Sequence, residues 1–208
     1  KVKLVRSLAG KATCIASVVH VWRPFVGMVW APIFVPRAKC SHLPDHIWTS
    51  AIMVPLRWMA AFLSKAAGTL VRTYSLSAYL GEGDKISITT DASPYGLGAY
   101  LTVAGVIREF AYGGVTADDE AKLQIKVSGA SEGQQALEAL AVVSALRLWW
   151  EWWCDRRVIL EVRSDSVTAL VMLIKLKAGG PGTSLLAREL ALDIGDALFE
   201  PNVGTHVP

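Results

Sequence analysis

The sequence predicts a mixed α/β domain, a three-strand antiparallel meander followed by strand-helix units, behind a small helical segment. Three observations predict it. Residues 85–90 and 158–164 alternate apolar with polar side chains, as half-buried strands do. Val2 to Val21 instead repeats its apolar residues at three- and four-residue steps, as an amphipathic helix does. Charge divides the chain in the same way: residues 1–84 hold ten Lys/Arg against three acids, a net +7, and residues 85–208 hold eleven against fifteen, a net −4. The boundary between a helical segment, 1–80, and an α/β domain, 85–208, falls at the turn Gly81-Glu82-Gly83-Asp84.

Composition excludes some classes. With 52% apolar and 19% charged residues, the 208-residue chain is too hydrophobic for disorder. His20, Arg23, Pro24 and Pro32 interrupt its most apolar region, so no run of about 18 uncharged apolar residues exists to cross a membrane. Cys14, Cys40 and Cys154 are odd in number and far apart, which suits buried free thiols rather than zinc or disulfides. The chain begins at Lys1 without a signal-peptide pattern, and it reads as an intracellular piece of a longer chain. A basic segment beside an acidic one points to a polyanionic partner, although basic surface also serves solubility alone.

The helical segment comes first. The stripe Leu4, Val5, Leu8, Ala12, Ile15, Val18, Val19 predicts a helix to Val21, interrupted at Arg23-Pro24, where proline lacks an amide donor. A second helical piece, Phe25 to Trp30, should end at Ala31-Pro32, with loop from Val35 to Pro44. A third helix is expected from Pro44 or Asp45 to about Ala67, kinked or broken at Pro55. Trp22, Trp30, Trp48 and Trp58 fall on the apolar faces and read as core anchors, although indoles also stack on bases.

In the second segment, Lys85 to Thr90 is a strand with Asp91 at its end. A turn through Ser93-Pro94-Tyr95 feeds a second strand whose glycines permit close backbone approach, and Ala104-Gly105 turns into a third, Val106 to Tyr112. Gly113 to Ala130 reads as loop with one short strand at Leu123 to Val127. Ser131 opens a helix with a Ser131/Gln134 capping box, and Glu132 suits the first turn by the helix dipole. Glu138 has no such explanation: between Gln135 and Trp150 it and Arg147 are the only charges, and a carboxylate on so apolar a helix must be paired, protonated or bound to a cation. After it, the cluster Trp149, Trp150, Trp152 and Trp153 suits packing against a partner domain or, as the lesser alternative, a nucleic-acid strand, since an exposed aromatic patch of that size marks an interface. A strand, Val158 to Ser164, ends at Asp165, which by itself could cap the helix Val167 to Lys177. A helix from Ser184 to Leu198 and a strand from Val203 to Val207 complete the order; His206, in that strand, reads as structural.

Asp91 and Asp165 each end a strand, and Glu138 lies on the helix between them. In α/β sheets sites form outside the carboxyl ends of strands, where these three could converge. Three carboxylates at one point repel unless cations intervene, and hard oxygen ligands suit Mg2+ or Mn2+. Two such ions about 4 Å apart form the template by which nucleases and polymerases work on phosphodiesters.

The run Ile88-Thr89-Thr90-Asp91-Ala92-Ser93-Pro94-Tyr95-Gly96-Leu97-Gly98-Ala99, then Glu138-Ala139-Leu140-Ala141-Val142-Val143-Ser144-Ala145-Leu146, then Val162-Arg163-Ser164-Asp165-Ser166, resembles the ribonuclease H domain of retroelement polyproteins. Residues 1–80 are similar, more weakly, to the thumb and connection region of a reverse transcriptase, through Leu8-Ala9-Gly10-Lys11 and Trp22-Arg23-Pro24-Phe25. The resemblance implies a ribonuclease H-like sheet, cleavage of the RNA strand of an RNA-DNA hybrid, and two Mg2+ or Mn2+ ions held by Asp91, Glu138 and Asp165. It also implies a reverse transcriptase palm as partner, with Lys11 and Arg23 on nucleic-acid phosphates. The family carries a fourth carboxylate in a helix after a strand similar to Thr205-His206-Val207-Pro208, and none follows here. The alternative reading is a non-catalytic nucleic-acid-binding or structural remnant of such an element.

Overall fold

The computed structural model describes residues 1–35, 43, 45–68, 76, 80–125, 131–197 and 203–207. Two compact units divide the chain: Lys1–Thr73 with Ala191–Asp196, and Tyr74–Leu190 with Ala197–Pro208.

Among its described residues the first unit includes the helices α1 (Val2–Val18), α2 (Arg23–Phe34) and α3 (Ser50–Leu63) and the end of a helix that comes late in the chain. α1 turns Val5, Ala9, Ala12 and Ala16 inward, a stripe of small residues that lets α2 pack closely with Phe25, Val26 and Val29. Phe25 and Trp22 both approach Phe62 of α3, with ring centroids 6.0 and 6.5 Å apart. The first helix is shorter than its apolar pattern suggested, giving way at His20–Trp22 to a 3-10 turn. The proline signals misled in the opposite direction. Pro24 sits in the first turn of α2, where its missing amide has no intrahelical partner to lose, so the helix starts at Arg23 instead of Phe25. Pro32 and Pro55 lie inside α2 and α3, which continue past them: α3 goes on to bury Met59 and Phe62, while α2 runs only two residues further, with Phe34 stacked on Trp30 at 5.9 Å between centroids. α3 begins at Ser50, later than predicted, and stops before Lys65, whose φ of 61° is left-handed. Among the four tryptophans here only Trp22 is a fully buried anchor; Trp30 and Trp58 are half-buried and Trp48 is exposed.

The second unit is the predicted mixed α/β sheet. Its strands are β1 (Asp84–Ser93), β2 (Gly96–Val103), β3 (Val106–Gly114), β4 (Val158–Ser164) and β5 (Val203–His206), in the order β3-β2-β1-β4-β5. β1 to β3 form the antiparallel meander, and β4 lies parallel to both β1 and β5. The β2-β3 connection is Ala104-Gly105, both at positive φ (50° and 81°), the geometry that matches the twist of a two-residue hairpin. Gly96 is required by closeness instead: a Cβ there would stand 2.7 Å from the Gly113 carbonyl oxygen.

Helices follow as α4 (Ala117–Leu123), α5 (Ser131–Leu148), α6 (Val167–Lys175) and α7 (Pro181–Ala197). α5 lies on β1 and β2, and its Leu137 and Ala141 pack with Ala92 of β1 in the core, with Leu97 of β2 against them. α4 corrects the expectation of loop and a strand from Leu123; Thr116 and Asp119 form a capping box, each side chain accepting the other's amide. Residues 126 and 127 of that expected strand lie outside the described residues, as do the side chains of Ser131 and Glu132. α6 ends at Lys175, two residues early, because Leu176 takes a left-handed φ of 50°, and α7 starts at Pro181, a favoured first helical residue.

Two further expectations are corrected. The four tryptophans after α5 do not form an exposed patch: Trp149 and Trp153 are buried, and the Nε1–H groups of Trp149 and Trp152 both donate to Glu109 of β3, at 2.9 and 2.8 Å. Arg156 covers Trp152, 5.0 Å from its ring centroid. The thiols of Cys14 and Cys154 are exposed, not buried; Cys40 lies outside the described residues.

Candidate metal centre

Asp91, Glu138 and Asp165 meet at one end of the sheet. Asp91 lies within β1, whose alternation at this end buries Thr90 and Ala92 and leaves the aspartate exposed. β1 runs three residues beyond Thr90, and so Asp91 is held by pairing with Gly98 of β2 instead of ending the strand. Asp165 follows β4, which is parallel to β1, so both chains bring their carboxyl ends to the same edge. Glu138 comes from α5 as it crosses that edge. One carboxylate oxygen from each of the three lies within 4.8 Å of the others.

Glu138 is 4% exposed, while Asp91 and Asp165 face solvent. Removal from water pushes its carboxyl up to about 7; the Asp165 and Asp91 charges push in the same direction, against the Gln134 side chain and the Ala92 main chain. Oε1 accepts from Gln134 Nε2 at 2.8 Å, but Oε2 is buried without a hydrogen-bond partner. A buried, unpartnered carboxylate oxygen beside two further carboxylates is unfavourable as it stands. A divalent cation would satisfy all three, so the donor set, all oxygen and all anionic, fits Mg2+ or Mn2+.

The capping role open to Asp165 is taken by its neighbour: Ser166 Oγ accepts the Ala169 amide at 3.2 Å, and the Ser166 amide donates to Ser164 Oγ at 3.1 Å. His206, read as structural, lies at this edge through the pairing of β5 with β4, and its Nε2 is 2.8 Å from the Asp165 carbonyl oxygen. Gln134 was the residue that sequence reasoning assigned elsewhere, to the capping box; its Nε2 meets Ala92 and Glu138. The signal for it was a second polar residue one turn before the isolated Glu138. Lys11 and Arg23 belong to the first unit, the carboxylates to the second. Lys11 is exposed on α1, and Arg23 Nε donates to the Ala16 carbonyl at 3.3 Å, closing the end of that helix.

No protein-family model matches the chain, and no curated protein matches it. Among solved structures it is similar to RNase H1 from the halophilic archaeon Halobacterium salinarum NRC-1, at 19% identity over 60% of this chain and 85% of that one, with a TM-score of 0.39. LC11-RNase H1, isolated from compost by a metagenomic approach, matches at 19% identity over 60% of this chain and 84% of that one, TM-score 0.40. The foamy viral protease-reverse transcriptase in complex with dsDNA matches at 12% identity over 93% of this chain and 38% of that one, TM-score 0.34.

Proposed function

We propose that the second unit is a metal-dependent nuclease acting on the RNA strand of RNA-DNA hybrids, with Asp91, Glu138 and Asp165 holding Mg2+ or Mn2+. The observation that supports it best is the unpartnered, buried Oε2 of Glu138 within 4.8 Å of two more carboxylates. A bound divalent ion supplies Lewis-acid stabilisation of a phosphodiester oxygen and lowers the pKa of water. The chain's own part is to hold the three carboxylates together. The central strand β1 fixes Asp91, the parallel strand β4 delivers Asp165, and α5 carries Glu138 in from the apolar side of the edge. Solvent reaches Asp91 and Asp165, leaving the site open to a polymer too large for a closed cavity.

The hybrid substrate comes from the motif resemblance, as do a retroelement polyprotein as parent, its reverse transcriptase palm as partner, an intracellular setting, and phosphate contacts from Lys11 and Arg23. Among the described residues no helix is long and apolar enough to cross a membrane. The test is incubation of the chain with an RNA-DNA hybrid and Mg2+ or Mn2+. Cleavage that disappears in Asp91→Asn and in Asp165→Asn supports the reading, and equal cleavage in both variants excludes it. Hybrid binding without cleavage would return the non-catalytic alternative.

A further inference from the structure

We infer that Gln134 is a positioning residue for this centre, its side-chain amide occupying one oxygen of Glu138 so that the other faces the metal. The inference rests on the metal-binding reading above. Gln134 precedes Glu138 by one helical turn, which stacks the two side chains on one face of α5. Its Nε2 lies 2.5 Å from the Ala92 carbonyl oxygen and 2.8 Å from Glu138 Oε1. A main-chain carbonyl only accepts, so the NH2 end of the amide must face it, and that group has one hydrogen for each of these two acceptors. Gln134 therefore ties α5 to β1 at the residue after Asp91 and, with the same nitrogen, orients the carboxylate. Oε1 is taken; Oε2, buried and unpartnered, is the oxygen left to coordinate. Partners that orient metal ligands in this way are commonly worth about 10–100-fold in metal affinity.

The experiment is calorimetric titration of Mn2+ into the full chain and its Gln134→Leu and Gln134→Asn variants, at a temperature where circular dichroism shows each folded. Asparagine keeps the amide but is one methylene too short to span both acceptors, and it serves if the leucine variant does not fold. Gln135→Leu, at an exposed position on the same helix, is the control. Affinity at least about tenfold weaker in the Gln134 variants, with Gln135→Leu at wild-type affinity, is the expected result. Lower melting temperatures with Mn2+ affinity within twofold of wild type would make Gln134 a structural tie only and overturn the inference. Asp91→Asn and Glu138→Gln separate the two levels. If they lose Mn2+ while the Gln134 variants keep it, only this inference fails. If they too bind Mn2+ like the wild type, the metal-binding reading fails and takes this one with it.

Discussion

Ser166, not Asp165, caps helix α6: the serine hydroxyl accepts the Ala169 amide at 3.2 Å, and the adjacent carboxylate is left for the cluster with Asp91 and Glu138. Two adjacent polar residues at a strand-helix junction thus divide structure and chemistry between them.

That division predicts opposite effects on stability. Ser166→Ala removes the acceptor of an orphan helix amide and should cost about 1 kcal/mol. Asp165→Asn removes one of three clustered negative charges and should leave the metal-free protein as stable as wild type or more so. Urea denaturation of both variants in the presence of a chelator measures the contrast. A larger loss from Asp165→Asn than from Ser166→Ala would mean that the aspartate, not the serine, holds the junction.

Glu138 makes the metal-free protein pH-dependent. Its carboxyl is raised from 4.5 to about 7, chiefly by burial, so the folded state holds this proton more tightly than the unfolded state does. Stability from this group is therefore complete below about pH 4.5 and is lost as pH rises towards 7. The melting temperature in chelator should fall across that window more steeply for wild type than for Glu138→Gln, which has no proton to lose. Divalent metal should recover the lost stability at pH 8 and little of it at pH 5, where protons compete for the same oxygen. Parallel pH profiles for the two proteins would show that Glu138 is not held in its protonated form.

Glu109 of β3 holds two indoles at once. Its two oxygens accept from Trp149 and Trp152, tying the end of α5 and the turn after it to the edge strand β3. Glu109→Ala leaves the buried Trp149 indole N–H without a partner, at a cost of about 1–3 kcal/mol. Glu109→Gln keeps one acceptor oxygen and should lose less. Tryptophan fluorescence during urea unfolding reports directly on these indoles, and equal midpoints for wild type and Glu109→Ala would contradict the account.

The sheet was legible because its strands alternate and its turns carry glycine or proline, so Lys85–Thr90 and Val158–Ser164 could be found with nothing but periodicity. The isolated acids were legible for a related reason: Glu138 stands out on an otherwise apolar helix. Proline in the first unit was less informative, since the helix through Pro55 goes on to bury Met59 and Phe62, and the one through Pro32 runs two residues further with Phe34 exposed. The pairings of Trp149 and Trp152 with Glu109, forty or more residues away, leave no periodic trace. Neither does the reach of Gln134 to Ala92 across 42 positions, nor the approach of His206 to Asp165 across 41.

Anomalous diffraction from a crystal of the chain grown or soaked in Mn2+ locates the ion itself and so decides whether the three carboxylates hold it. A peak is expected about 2.1 Å from carboxylate oxygens of Asp91, Glu138 and Asp165, with Glu138 contributing Oε2, and no peak there in Asp91→Asn. A Mn2+ peak bound elsewhere, with these three carboxylates left without metal at saturating Mn2+, would contradict the metal-binding reading.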